Sequence, residues 1–374
     1  MPDISCVGKY FTILNLAAGA LLFHATLQAD TPDGGDDGNP IHHQFMFSAN
    51  QAGHNLSAYR LDNQKGELIP LNGAPFETGR FPVSVAASPD GKYVYVTNQG
   101  ADSISAFAID AQHNTLRPVP GSPFPAGPYP DAITISPDGR FVYVANEDSQ
   151  LVRIFQVDPG SGRLLNTGHT ATTGKHPIYI TLTPDGKFAL VANFNDASIN
   201  IYRVDPDNGT LADTGALART DDNPIHIAIT PDSRFAYIAN YGSTTVSAFS
   251  ITPDGKLTPV PGSPFVAGAK PYSVTVDSSE RHVFVVNWAG HDVSVFNLDA
   301  ENGAISEIKG SPYPTDWYPY DVVVAPDDQH LYVANNGAAN ISAYEIDTVS
   351  GSLAPQRHSP FTADLGPYSL AITR

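Results

Sequence analysis

The sequence predicts an all-β fold, a seven-bladed β-propeller built from four-stranded blades. The first observation behind this prediction is a strand motif that ends in asparagine and recurs every 47 or 48 residues, a period typical of propellers and other repeat folds. The second is a tight turn of the Pro-Asp-Gly type, which precedes most copies of the motif. The third is the register of the two chain ends, which supply complementary parts of one repeat. The seven terminal asparagines are Asn50, Asn98, Asn146, Asn193, Asn240, Asn287 and Asn335.

Each repeat is interpreted as four short strands. An apolar, alternating run such as 132–135 precedes the turn, and a β-branched and aromatic run follows it, as in 93–98 (YVYVTN). A third run, such as 104–110, leads to a second turn and then to a weaker fourth strand. Runs of this length and composition, separated by turn residues, are typical of strands. After the first 29 residues no window shows helical periodicity.

The two ends of the repeat region complete each other. The first repeat begins at Phe45 with a second strand and has no first strand, while residues 367–373 (PYSLAIT) form a first strand with nothing after it. The C-terminal strand is therefore predicted to pair with the N-terminal blade, which closes the ring and leaves no open sheet edge. The predicted propeller spans residues 45–374.

Two segments precede the propeller. Residues 1–29 resemble an export leader, because the apolar run 11–23 follows Lys9 and ends near a small-residue cleavage site at 27–29. Residues 30–44 form a flexible, acidic, glycine-rich linker. The mature protein is expected to begin near Asp30 and to be periplasmic or secreted. The alternative is a leader that is retained as an N-terminal anchor.

Composition excludes several function classes. The formal net charge is -18, from 38 acidic and 20 basic residues, so we expect no nucleic-acid partner and no membrane association after leader removal. The one cysteine, Cys6, excludes a disulfide within the chain. No metal-ligand or phosphate-binding motif is present, so neither a metal nor a cofactor is expected.

Topology predicts which face carries a site. The start of each first strand and the end of each second strand lie on one face, at the mouth of the central channel, and the Pro-Asp-Gly turns lie on the other. Each first strand opens with a proline, and the residue two positions later is predicted to ring the mouth. These residues are Ser84, Ala132, Tyr179, His226, Ser273, Asp321 and Ser369. The residues that follow the repeated asparagines join them: Gln51, Gln99, Glu147, Phe194, Tyr241, Trp288 and Asn336.

Positions that differ between blades are the candidates for a site, since one ligand cannot use seven equivalent contacts. Glu147 and His226 are predicted as catalytic residues. Aromatic faces with a few polar groups suit a sugar-like or small polar organic ligand. The predicted substrate-binding residues are Tyr179, Tyr241, Tyr272, Trp288, Trp317 and Asp321. The alternatives are aromatic side chains that plug a narrow channel, a structural histidine and a solvated glutamate, while the repeated asparagines are interpreted as scaffold.

Residues 93–98 and their copies resemble the YVTN-repeat propellers, and segments 116–124 and 257–265 are similar to exported bacterial propellers of the lactonase family. This resemblance implies relatives such as 6-phosphogluconolactonase and carboxymuconate cyclase. Asn146-Glu147 matches one of the family's polar motifs, Tyr179 stands where a second motif has histidine, and His226 keeps one histidine of a third.

Two functions follow from these residues and the resemblance. In the first, the protein is a hydrolase that opens a small sugar-acid-like lactone; Glu147 acts as general base, and His226 donates a proton or stabilises the oxyanion. In the second, the propeller is a non-catalytic scaffold that binds a glycan, a small molecule or another protein.

Overall fold

The computed structural model describes residues 44–373. The predicted leader and residues 30–43 of the predicted linker lie outside these residues. Within them the chain forms seven antiparallel sheets, six of which run in sequence order from an innermost to an outermost strand; in the seventh the last strand of the chain is innermost. The predicted seven-bladed all-β propeller is thereby confirmed.

The innermost strands all begin at the repeated proline and line the channel. They are β5 (Pro82–Ala87), β10 (Pro130–Ile135), β14 (Pro177–Leu182), β18 (Pro224–Ile229), β23 (Pro271–Val276), β28 (Pro319–Val324) and β33 (Pro367–Ile372). The second strands end at the repeated asparagine. They are β1 (Phe45–Asn50), β6 (Tyr93–Asn98), β11 (Phe141–Asn146), β15 (Phe188–Asn193), β19 (Phe235–Asn240), β24 (His282–Asn287) and β29 (His330–Asn335).

The third strands are β2 (Asn55–Asp62), β7 (Ser103–Asp110), β12 (Leu151–Val157), β16 (Ser198–Val204), β20 (Thr245–Ile251), β25 (Asp292–Leu298) and β30 (Asn340–Ile346). The outer strand is continuous in two blades, as β13 (Leu164–Thr172) and β17 (Leu211–Arg219). In the other five it is split into two pieces, both paired with the third strand. The pieces are β3 (Glu67–Pro70) and β4 (Phe76–Glu77), β8 (Thr115–Pro118) and β9 (Phe124–Pro125), β21 (Leu257–Pro259) and β22 (Phe265–Val266), β26 (Ile305–Glu307) and β27 (Tyr313–Pro314), and β31 (Leu353–Pro355) and β32 (Phe361–Thr362). Two 3₁₀ turns, Gln99–Ala101 and Phe194–Asp196, follow second strands.

We number the blades I to VII along the ring, with blade I holding β33, β1 and β2 and blade II beginning at β5. All seven second strands are buried along their whole length. Their side chains alternate between two faces, and each face packs on a neighbouring blade. In one such interface Val94 and Val96 of blade II pack with Phe47 and Ala49 of blade I. The hydrophobic core therefore lies between neighbouring blades, and this packing between blades positions the innermost strands around the channel.

The repeated asparagines are fully buried in all seven blades. In six blades the side-chain nitrogen donates to the side chains five and seven residues further on, as from Asn98 to Ser103 and Ser105. In blade III those positions carry Leu151 and Arg153, and the Asn146 amide donates instead to the carbonyls of Ala126 and Pro128. Their predicted role as scaffold is confirmed, because each asparagine ties its strand to the following one or to the adjoining loop.

The ring closes as predicted. Strand β33 pairs antiparallel with β1, from Met46 opposite Ile372 to Asn50 opposite Pro367. The Phe45 amide also donates to the Thr373 hydroxyl at 2.8 Å. The last strand of the chain is thus the innermost strand of the first blade. No helix among residues 44–373 is long and apolar enough to cross a membrane.

Candidate functional site

The mouth of the channel has the same backbone framework in every blade. The residue before each innermost-strand proline has a φ between +51° and +71°, a left-handed conformation that is costly for residues other than glycine. Its carbonyl accepts a hydrogen bond of 2.8–3.0 Å from the amide of the residue after the repeated asparagine. These left-handed residues are Phe81, Tyr129, His176, Asn223, Lys270, Tyr318 and Gly366. The framework places the side chains of both positions around the mouth.

A β-bulge brings a further position to the channel axis. In all seven blades the register between innermost and second strand shifts between the proline and the residue two positions later, so the residue directly after the proline is left unpaired. From the sequence, the second residue after proline and the residue after the asparagine were predicted to ring the mouth in every blade, and Tyr272 was the one first residue after proline among the predicted site residues. The structure adds the first residue after proline: Val83, Asp131, Ile178, Ile225, Tyr272, Tyr320 and Tyr368.

Three of these residues converge on the axis from consecutive blades. Tyr272 and Tyr320 have ring centroids 4.4 Å apart, and Tyr320 and Tyr368 4.7 Å. The hydroxyls of Tyr272 and Tyr368, which come from blades VI and I, lie 2.6 Å apart. Burial raises the pKa of all three phenols, that of Tyr320 to about 12. These hydroxyls therefore stay protonated and can donate hydrogen bonds at neutral pH.

Opposite this tyrosine arc lies a group of polar side chains that we call the mouth cluster: Gln99, Asp131, Glu147 and His176. Nδ1 of His176 lies 2.9 Å from Oε1 of Glu147, and both side chains are largely buried. Nε2 of Gln99 donates to Oδ1 of Asp131 at 3.3 Å. Burial, and then the charge of Glu147, hold the pKa of Asp131 well above its usual value.

The mouth cluster therefore contains two carboxyl groups in different environments. Glu147 is positioned by a histidine, whereas Asp131 has an amide donor and a carboxylate neighbour that opposes its ionisation. Two interacting carboxyl groups of this kind hold one proton to a higher pH than an isolated aspartate does. Such a pair can supply one general base and one general acid at the same pH.

One residue further along the innermost strands lies a second group, the channel cluster: Tyr179, His226, Ser273 and Asp321. The Tyr179 and His226 rings are 4.0 Å apart, and the Ser273 hydroxyl donates to Oδ1 of Asp321 at 2.7 Å. Burial lowers the pKa of His226 to about 3. Burial raises the pKa of Asp321 to about 6, against the effect of hydrogen bonds from Leu370, Ser273 and Val322.

Nε2 of His226 lies 3.9 Å from Oδ1 of Asp321. Because His226 is neutral above about pH 4, the two do not form an ion pair at neutral pH. Nδ1 of His226 faces the Val274 amide at 3.5 Å, and Oδ2 of Asp321 accepts from the Leu370 amide at 2.7 Å. Both side chains thus reach the innermost strand of the next blade.

Two serines at the same strand position, Ser84 and Ser369, accept from the amides of Ile133 and Val85. With Ser273, which donates to Asp321, this position therefore joins adjacent blades in five cases. The contacts of His226 and Asp321 with the next blade are sufficient for a structural role. Their part in binding or catalysis stays a prediction.

A third group runs outward from the tyrosine arc and is called the aromatic strip: Tyr241, Trp288, Tyr318 and Trp317. Its ring centroids follow at 6.0, 4.8 and 6.3 Å, and Trp288 and Tyr318 are stacked. Tyr241 also contacts Tyr272, with 5.8 Å between centroids. The strip therefore joins the channel axis to the rim, where Trp317 is 62% exposed.

Lys270 flanks the strip on one side. Its ammonium lies 4.6 Å from the Tyr241 ring centroid and 5.4 Å from that of Trp288, and it donates to the Tyr241 hydroxyl at 3.3 Å. Contacts of a cation with aromatic faces are favourable by about 0.5–1 kcal/mol at exposed sites. Lys270 therefore helps to fix the orientation of both rings.

The structure thus distributes the predicted residues over four neighbouring groups. Glu147 lies in the mouth cluster, Tyr179, His226 and Asp321 lie together in the channel cluster, and Tyr272 lies in the tyrosine arc. Tyr241, Trp288 and Trp317 form most of the aromatic strip. Sequence reasoning placed Gln99 at the mouth but missed Asp131 and His176, which interact with Glu147. Asp131 is the one acid among the seven residues that follow the proline, a signal of the kind already used for Glu147.

Across residues 44–373 no set of three histidine, cysteine, aspartate or glutamate side chains is arranged to hold a metal ion.

Fold and site together define a seven-bladed propeller with an asymmetric polar mouth. The family described as "Lactonase, 7-bladed beta-propeller" matches residues 71–176, 132–224, 165–263 and 263–367. These matches extend over most of the propeller, and the chain belongs to this family. A search among curated proteins gave no significant match.

Solved structures with the same fold include proteins with different functions. A Bacteroides fragilis protein provisionally assigned as a 6-phosphogluconolactonase is 21% identical, with a TM-score of 0.79, covering 91% of this chain and all of its own. The periplasmic gluconolactonase PpgL of Pseudomonas aeruginosa is 18% identical, with a TM-score of 0.74, covering 89% of this chain and 99% of its own.

Hydrazine synthase of Kuenenia stuttgartiensis is 20% identical, with a TM-score of 0.63, covering 80% of this chain and 92% of its own. At these identities the likeness shows the fold alone, and function has to be argued from the site.

Proposed function

We propose that the protein hydrolyses a small sugar-acid-like lactone at the channel mouth, with Glu147 as general base and Asp131 as general acid. The observation that carries this proposal is the pair of interacting carboxyl groups, of which Glu147 contacts His176 at 2.9 Å and Asp131 has a strongly raised pKa. Membership of the lactonase family supports the reaction class. Neither group requires a metal ion for this chemistry.

In the proposed reaction, Glu147 removes a proton from water as the water oxygen bonds to the lactone carbonyl carbon. His176 holds the Glu147 carboxylate in place. The tetrahedral oxyanion then collapses, and the bond from the carbonyl carbon to the ring oxygen breaks. Asp131 gives its proton to that ring oxygen, and the proton held by Glu147 restores Asp131. The sum is one lactone and one water converted to one hydroxy acid.

The tyrosine arc supplies hydrogen-bond donors on the other side of the ligand. Asp131 acts electrostatically on both Tyr272 and Tyr368, and it raises the pKa of each, so the two phenols and the carboxyl group border the same space. Donors placed where negative charge develops stabilise the oxyanion of acyl transfer. One of these hydroxyls is proposed to stabilise the tetrahedral intermediate.

His226 has a smaller part in this proposal than the sequence predicts. A histidine with a pKa of about 3 is neutral at pH 7, so it is a poor proton donor there. Asp131 takes over the acid role, while His226 orders the channel wall through Val274 and Tyr179.

The test is an assay of lactone opening, followed with a pH indicator, on glucono-1,5-lactone and related aldonolactones. Glu147→Gln should lower kcat by about 10²–10⁴-fold, the usual contribution of a positioned acid or base. The matched control is Glu345→Gln, at an exposed position on the third strand β30, which should leave kcat unchanged. No turnover in the wild-type protein would remove the lactonase function and favour the binding function. Undiminished turnover in Glu147→Gln would remove Glu147 as the general base.

We also propose that the protein acts in the periplasm or outside the cell. The apolar run 11–23 followed by small residues supports this, as does the periplasmic location stated for PpgL, whose fold this chain shares. Mass spectrometry of the protein from its own host should find an N-terminus near Asp30. An intact Met1 in a soluble cytoplasmic fraction would contradict the proposal.

A further inference from the structure

We propose that the aromatic strip binds sugar rings, so that the substrate is a lactone at the end of an oligosaccharide. This inference rests on the proposed lactonase function for the reacting end of the ligand. The mouth cluster would hold the lactone, and Tyr241, Trp288, Tyr318 and Trp317 would bind the following rings.

The strip is continuous and becomes more exposed outward. Tyr241 is 7% exposed, Tyr318 37% and Trp317 62%. Each step between ring centroids, from 4.8 to 6.3 Å, is comparable with the width of one pyranose ring. The row of rings therefore leads from Tyr272 at the channel axis outward to Trp317, which lies in solvent.

The exposed end of the strip is held in place. The Trp317 amide donates to Oδ1 of Asp316 at 2.9 Å, and Oδ2 of Asp316 accepts from the Asn340 side chain at 2.8 Å. The Tyr318 amide donates to Nδ1 of His291 at 3.0 Å. These bonds hold the backbone that carries both rings, and such preorganisation favours affinity.

The close approach of Gly337 also fixes this region. A Cβ at position 337 would lie 2.6 Å from the Tyr318 ring and 3.1 Å from the Trp317 carbonyl oxygen. The backbone of blade VII therefore packs directly beneath the outer end of the strip and leaves the Trp317 side chain exposed.

The chemistry of the strip selects its occupant. The C–H faces of a pyranose ring stack on aromatic rings, and its hydroxyls hydrogen-bond to polar groups at the edge. Asp316, Asn340 and Lys270 supply such groups beside the rings. Phe81 on blade II is 42% exposed and contacts His54 in the same way as Tyr318 contacts His291. Trp317 has no aromatic counterpart on blade II, because the equivalent residue is Arg80. Blade II therefore lacks the exposed outer end of the strip that Trp317 forms before blade VII.

Two tryptophans occur in the whole chain, Trp288 and Trp317, and both lie in the strip. Intrinsic tryptophan fluorescence therefore reports on the proposed subsite alone. Titration with cellotetraose and with maltotetraose should give a saturable change for at least one of them, and glucose a weaker one. Trp317→Phe should remove the part of the signal that comes from the rim.

The kinetic test compares glucono-1,5-lactone with cellobiono- and maltobiono-1,5-lactone. The wild-type protein should prefer a disaccharide lactone by about tenfold or more in kcat/KM, and Trp317→Ala should abolish that preference by lowering kcat/KM for the disaccharide lactone more than for the monosaccharide lactone. Phe81→Ala is the matched control and should change neither value.

The outcomes separate the two proposals. No fluorescence response to either tetrasaccharide, together with equal effects of Trp317→Ala on both lactone classes, would overturn the strip as a sugar subsite. Saturable tetrasaccharide binding without turnover of any lactone would retain the sugar site and overturn the lactonase function.

Discussion

Closure of the ring is testable with one matched pair of leucines. Leu370, on the closing strand β33, is 5% exposed and packs against Met46 and Tyr332. Leu365, five positions earlier and outside any strand, is 60% exposed. Leu370→Ala should destabilise the protein strongly, whereas Leu365→Ala should have almost no effect.

The expected magnitude follows from the atoms removed. Leucine to alanine deletes three carbons, and each buried carbon contributes about 0.8 kcal/mol to the free energy of unfolding. The cavity left behind adds to this loss, so Leu370→Ala should cost about 2–5 kcal/mol. Leu365→Ala should stay within about 0.5 kcal/mol of the wild-type protein.

Urea denaturation followed by far-ultraviolet circular dichroism measures both variants under the same conditions. The backbone hydrogen bond from the Leu370 amide to Asp321 does not depend on the leucine side chain, so the comparison isolates packing. Equal urea midpoints for Leu370→Ala and Leu365→Ala would refute the packing of β33, the innermost strand of blade I, against blade VII.

Three further predictions concern ionisable groups. Asp131→Asn should lower kcat by about 10²–10⁴-fold. It should also raise the stability of the fold at pH 7, because it removes a buried carboxyl whose ionisation Glu147 opposes. Equal or lower stability in thermal melts at pH 7 would contradict this. Asp321 has its pKa raised from 3.8 to about 6, so the folded state binds its proton more tightly, and the free energy of unfolding should fall by up to about 3 kcal/mol as pH rises from 4 to 6. Asp321→Asn should flatten that part of the stability curve, and a slope unchanged in denaturant titrations would argue against the shift. His226→Ala should keep kcat within about tenfold while it lowers stability, and a loss of 10²-fold or more would restore the acid–base role predicted from the sequence.

The fold was predictable because the same strand motif occurs in every repeat. Seven copies of one strand motif at a constant spacing fix the number of blades, and the register of residues 45–50 and 367–373 fixes the closure. Local chemistry agrees with the global pattern at each asparagine and each turn, and such consistency is what specifies a single structure.

The site was predictable only in part. Strict alternation along a strand predicts that the second residue after each proline faces the channel mouth, and it found Tyr179, His226 and Asp321. The β-bulge at the proline breaks that alternation and brings the preceding position to the axis as well. Asp131 was therefore missed, although Tyr272 at the same position was predicted on other grounds.

His176 was missed for a related reason. It precedes the proline in a left-handed conformation, which no propensity indicates for histidine in that context. The residue reaches Glu147 only because the loop bends sharply before the strand begins. Contacts that depend on such irregular backbone are the part of a site that sequence patterns do not predict.

The central claim, that Asp131 and Glu147 act as acid and base of one hydrolytic site, is tested most directly by the pH dependence of kcat/KM for lactone hydrolysis. The wild-type protein should give a bell-shaped profile, with an acid limb from ionisation of the base and an alkaline limb from loss of the Asp131 proton. In Asp131→Asn the residual activity should lose the alkaline limb and keep the acid limb. A profile of unchanged shape in Asp131→Asn would contradict the account.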